Sequence, residues 1–112
     1  MIKLIDVLNS PAAVSSGGGQ KVFEMIDQSF QKKETVILDF NGISLLTSAF
    51  LNAAIGQLYN KYNSDILIKL LKLENISNTD KMLLKQVVER AKEYFKNKES
   101  QDSIYKDSLG DE

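Results

Sequence analysis

The chain has 112 residues, 43% of them apolar, 26% charged and 8% aromatic, enough for the core of one domain. Fourteen basic against fifteen acidic residues leave a net charge of −1, so no basic field gathers nucleic acid or an anionic membrane. His, Cys and Trp are absent, which excludes zinc fingers, thiol catalysis, Ser-His-Asp triads and disulfide scaffolds.

Ile2 to Leu8 is rich in aliphatic residues with partial alternation, which predicts a first strand. Lys3 and Asp6 interrupt it, so no signal-peptide core is expected. Asn9 to Gly19 contains Pro11 and the run Ser15-Ser16-Gly17-Gly18-Gly19 and reads mostly as loop, with room for a short strand at Ala12 to Ser15. From Gln20 the period changes. Val22, Met25, Ile26 and Phe30 recur at three- and four-residue spacing opposite Glu24, Asp27, Gln28 and Gln31, the pattern of an amphipathic helix. Lys32 and Lys33 suit its negative end.

Thr35 to Phe40 is nearly all apolar, as expected for a central strand covered on both faces, and Asn41-Gly42 supplies a turn. Ala49 to Tyr62 has helical spacing, with Phe50, Ala54, Leu58 and Tyr62 in one row. Ala53, Ala54 and Gly56 keep that helix thin, which permits a close neighbour and offsets the roughly 1 kcal/mol that a helical Gly costs. Asp65 to Leu73 reads as a third long strand between breaks at Asn63-Ser64 and Asn75. A last helix begins near Asn78 or Thr79 and ends near Phe95. Lys98 to Glu112 holds two lysines and five acids, a net charge of −3, and reads as a disordered acidic tail.

The order of elements predicts an α/β domain over residues 1–97: a small, mainly parallel sheet with helices packed on it, followed by the tail at 98–112. Its expected core includes Val22, Ile26, Ile37, Leu38, Leu58, Leu70, Leu84 and Val88. No apolar stretch approaches the roughly 20 residues that cross a bilayer, so a cytoplasmic domain without membrane contact is expected. In such sheets function gathers beyond the carboxyl ends of the strands, which draws attention to Asn41 to Ser48.

Three segments offer chemistry. The Gly17-Gly18-Gly19 run before a helix suggests a phosphate cradle, but the P-loop spacing is not met and Val22 follows Lys21 where a hydroxyl is needed. A flexible connector ending in a helix N-terminus accounts for it more simply. Asp6, Asp39 and Asp65 lie in or beside strands and could hold a hard cation. Asp39 is explained more simply as the cap of the Asn41-Gly42 turn, and no metal or cofactor is expected. Thr47-Ser48 stands immediately before a helix. One hydroxyl is an N-cap, stabilising by about 1 kcal/mol. A phosphate on the other would lie at the positive end of the helix dipole.

The residues Val36-Ile37-Leu38-Asp39-Phe40-Asn41-Gly42-Ile43, followed by Leu46-Thr47-Ser48-Ala49-Phe50-Leu51-Asn52, resemble the bacterial STAS-like domain family of unknown function. The resemblance runs from about Gly19 to Phe95. More distantly, the chain is similar to the STAS domains that act as anti-sigma-factor antagonists, whose motif Asp-Ser-Ser/Thr-Gly-Leu opens the corresponding helix. Thr47 then stands in the Asp place, Ser48 in the phosphoacceptor place, Ala49 in the second hydroxyl place, Phe50 in the Gly place and Leu51 in the Leu place. The resemblance implies a non-enzymatic regulatory protein–protein interaction module. Its partner would be a histidine-kinase-like ATPase or a serine kinase, Ser48 or Thr47 would be the switch, and Asn41, Gly42, Ser44, Phe50 and Asn52 would dock the partner. The rival reading is a module that senses a small ligand or nucleotide at Gly17-Gly18-Gly19. An enzyme is not expected, because the residues offer neither a nucleophile–base pair nor a metal cluster.

Overall fold

The structure, a computed structural model, describes the backbone from Met1 to Lys106 and the side chains as far as Phe95. Strands β1 (Ile2–Lys3), β3 (Val36–Asp39) and β5 (Leu71–Glu74) form a parallel sheet in the order β1-β3-β5. Strands β2 (Ala12–Ala13) and β4 (Leu45–Leu46) form a second, two-stranded parallel sheet. The helices are α1 (Leu4–Leu8), α2 (Ser16–Gln31), α3 (Ser48–Leu51), α4 (Leu58–Lys61), α5 (Ser64–Leu70) and α6 (Asn78–Lys106). This is the α/β architecture the sequence predicts, with the apolar β3 at the centre of its sheet. The backbone of α6 stays helical to Lys106, past the end near Phe95 that the spacing predicts, and residues 107–112 of the expected acidic tail lie outside the described residues.

Three expectations need correction. Ile2 to Leu8 is a strand only at Ile2–Lys3 and then turns helical, so that Leu4 enters the core. Asp65 to Leu73 is a strand only from Leu71. Asn63 is an N-cap whose side chain accepts the Ile66 N–H, and Ser64–Leu70 is helix, with Asp65 in its first turn and Lys69 in its last. The glycines at 17–19 are not a loop but the opening turn of α2, capped by Ser15, whose hydroxyl accepts the Gly18 N–H at 3.0 Å.

The core lies between the main sheet and the helices. Val22, Ile26, Leu38, Leu58 and Leu84 are buried as expected, whereas Ile37, Leu70 and Val88 are only half-buried. Between α3 and α4 the helix widens into a π-helical turn, Asn52–Gly56, closed by the Gln57 N–H on the Asn52 carbonyl at 3.1 Å. Its small residues serve close packing, as their pattern implies. Gly19 of α2 lies so near that a Cβ there would overlap the Phe50 carbonyl oxygen and come within 2.7 Å of the Ala53 Cβ. Gly56 faces Ala91 of α6.

A polar clasp fixes the far end of this helix pair. Asp27 of α2 accepts from Lys61 Nζ at 2.8 Å, from the Tyr62 hydroxyl and from Gln31 Nε2. The Phe30 and Tyr62 rings pack edge to face at 5.2 Å. No helix of the described residues is long and apolar enough to cross a membrane.

Candidate functional site

The two-stranded sheet brings together segments that stand far apart in sequence. Strand β2 leads into Ser15, the cap of α2; strand β4 leads into Thr47, the cap of α3. Because β2 and β4 are parallel, with Ala12 opposite Leu45 and Ala13 opposite Leu46, both helices start at the same edge and point their positive ends to the same side. The serines before the glycine run and the Thr47-Ser48 pair are therefore neighbours at one edge.

Thr47 is fully engaged there. Its N–H donates to the Ala13 carbonyl at 3.1 Å, its hydroxyl donates to the Val14 carbonyl at 2.9 Å, and its Oγ1 accepts the Phe50 N–H at 3.3 Å. Ser48 is the first helical residue. It is half-buried, and its hydroxyl makes no hydrogen bond among the described residues. Val14, just after β2, is 38% exposed and Leu45 of β4 56% exposed, so two apolar side chains of the segments that meet at Thr47 face water. Neither residue stood out in the sequence, because strands of two residues show no alternation to read.

The loop before β4 is held from both ends. Gly42 closes the turn in which the Ile43 N–H donates to the Phe40 carbonyl, with a φ of 84° that side chains disfavour. A Cβ at Gly42 would also come within 2.7 Å of Ile5 Cδ1. The Ser44 N–H donates to the Pro11 carbonyl at 2.8 Å. Asn41, Gly42, Ser44 and Asn52 are exposed.

Phe50 is not. It is 1% exposed, so its expected place on the docking surface is corrected: its ring packs beneath the first turn of α2, near Gly18. Gly18 and Gly19 are explained by the same close approach, which lets α2 lie over α3.

Asp39 ends β3 as a turn cap. Its Oδ1 accepts the Asn41 N–H at 2.9 Å and Asn75 Nδ2 at 2.8 Å, which ties the end of β3 to the end of β5. The Asn75 amide and the Asn41 N–H hold its carboxyl below the usual carboxylate value. Asp6, Asp39 and Asp65 do not assemble, and the described residues contain no cluster of three metal-ligating side chains.

Thr47 as cap and Ser48 as first residue open the helix that follows β4, the segment on which the resemblance places the motif. The family model described as a STAS-like domain of unknown function matches residues 18–81, more than half of the chain. The chain belongs to this family. Its match spans α2 through the first turn of α6 and contains both β3 and the Thr47-Ser48 helix start. No curated protein and no solved structure matches the chain.

Proposed function

We propose that this STAS-like domain is a non-enzymatic regulatory module that works by protein–protein contact at the edge where α2 and α3 begin. Ser48 is its phosphoacceptor, and the modifying partner is a histidine-kinase-like ATPase or a serine kinase. The observation that carries the reading is the division of labour between adjacent hydroxyls. Thr47 spends its donor and its acceptor on the fold, while Ser48 is left free at the same helix start.

The chemistry follows from that placement. Transfer of the γ-phosphoryl group of ATP to Ser48 Oγ releases ADP, and the hydroxyl proton passes to a base of the kinase. The product carries close to two negative charges beside two helix N-termini, where the dipoles favour them. The fold tolerates the group because no hydrogen bond depends on the Ser48 hydroxyl. A partner seated on Val14 and Leu45, however, meets a changed charge and shape. The partner class rests on the resemblance to anti-sigma-factor antagonists.

Binding of the purified kinase partner to three variants tests the reading. Ser48→Asp weakens binding, Ser48→Ala preserves it, and Leu45→Lys weakens it without lowering the melting temperature. Equal binding by all three would place the partner surface elsewhere.

A further inference from the structure

Strand β5 is an edge. It pairs with β3 on one side, and among the described residues no strand pairs with its other side. The Phe40 N–H donates to the Glu74 carbonyl at 2.9 Å. In a parallel ladder a residue's N–H and C=O point to the same side and successive residues alternate. The backbone groups of Lys72 and Glu74 therefore face β3, and those of Leu73 face outward. Edges of this kind recruit further strands unless they are blocked.

The side chains on this edge complement their own copy. Leu71 and Leu73 lie in register with Val36 and Leu38 on the helix-covered face. They rim an apolar groove of about 160 Å³ shared with Ile55, Leu67, Ile68 and Leu84. Ile68 is 69% and Leu73 36% exposed, so the groove opens to water at the edge. Lys72 and Glu74 occupy the opposite face. Glu74 stands in register with Asp39, itself in register with Lys3, so its own sheet neighbour is a second carboxylate. Among the described residues the sole ion pair is Lys61 with Asp27, and Glu74 has no cation of its own.

We infer that β5 is the seam of a homodimer, in which two copies of the strand pair antiparallel about a two-fold axis at Leu73. In that register Leu73 meets its own copy and exchanges two N–H···O=C bonds through the outward groups. Lys72 of each copy lies directly opposite Glu74 of the other, giving two cross-strand ion pairs that neutralise the paired carboxylates. The Ile68 and Leu73 side chains of the two copies then close the open ends of both grooves. β5 belongs to the main sheet and the strand before Ser48 to the small one, so this inference does not depend on the proposed function.

Sedimentation equilibrium of the full chain over a wide concentration series tests this, with circular dichroism melts as the folding control. The wild type moves from the 12.6 kDa monomer toward twice that mass. Lys72→Glu and Glu74→Lys each place like charges opposite one another and weaken self-association by about tenfold or more. Mixing the two single variants restores association, because one strand is then all acidic and the other all basic. The double exchange, Lys72→Glu with Glu74→Lys, associates as the wild type does. A wild type that stays monomeric overturns the inference. So do single variants that associate unchanged, or a mixture of folded variants that fails to pair.

Discussion

Thr47 and Val14, thirty-three positions apart, are joined by a single hydrogen bond of 2.9 Å from the threonine hydroxyl to the valine carbonyl. The same oxygen caps α3 through the Phe50 N–H. One side chain thus fixes where α3 begins and how its start sits against β2, while Ser48 beside it bears no such duty.

That asymmetry has a measurable consequence. Thr47→Ala removes a cap and a cross-strand bond and lowers stability by about 1–2 kcal/mol, a fall of several degrees in melting temperature for a domain of this size. Ser48→Ala changes stability by less than about 0.5 kcal/mol. Paired thermal melts compare the two directly.

Gly19 and Gly17 behave oppositely although they share the first turn of α2. A methyl group at Gly19 collides with the Phe50 carbonyl and with Ala53, both on a packed helix, and such overpacking costs about 1–3 kcal/mol or more. A methyl group at Gly17 meets nothing within 4 Å, so Gly17→Ala raises stability by roughly 0.5 kcal/mol through the unfolded chain. Urea denaturation of the two variants reads the difference in sign.

The strong periodic segments were legible in the sequence. Val22, Ile26 and Phe30 face the core at helical spacing, and the unbroken apolar run around Ile37 and Leu38 lies at the sheet's centre. What misled was ambiguity of period or an override of propensity. Ile2 to Leu8 places Leu4, Val7 and Leu8 three and four apart, a spacing that fits the helix as well as the alternation fits a strand. Asn63-Ser64 looked like a break and is a helix cap. Three glycines argue against helix by propensity, yet the Ser15 cap and the close packing of Gly18 and Gly19 against Phe50 and Ala53 favour one. The shared edge of α2 and α3 was hidden because it depends on two two-residue strands pairing across the chain.

Acid and alkali act on different groups. Hydrogen bonds from Lys61 and Tyr62 hold the Asp27 carboxyl below its ordinary 3.8, and those from Asn75 and Asn41 do the same for Asp39. Near pH 3.8 the unfolded chain therefore binds more protons than the folded one. This part of the stability is present above that pH and is lost as pH falls through the lower folded values. Tyr62 runs the other way: burial and the neighbouring Asp27 push its hydroxyl from 10.0 up to about 12. Its contribution is present below pH 10 and is lost as pH rises toward 12. Denaturation at stepped pH should show both slopes, with Asp27→Asn shrinking the acid one and Tyr62→Phe the alkaline one.

The most direct measurement of the central claim is the intact mass of the chain after incubation with its kinase partner and ATP, followed by peptide mapping. The account predicts one added phosphoryl group, located on Ser48, on wild type but not on Ser48→Ala, with Thr47 unmodified. No added mass, or a phosphoryl group on a residue away from the start of α3, would contradict it.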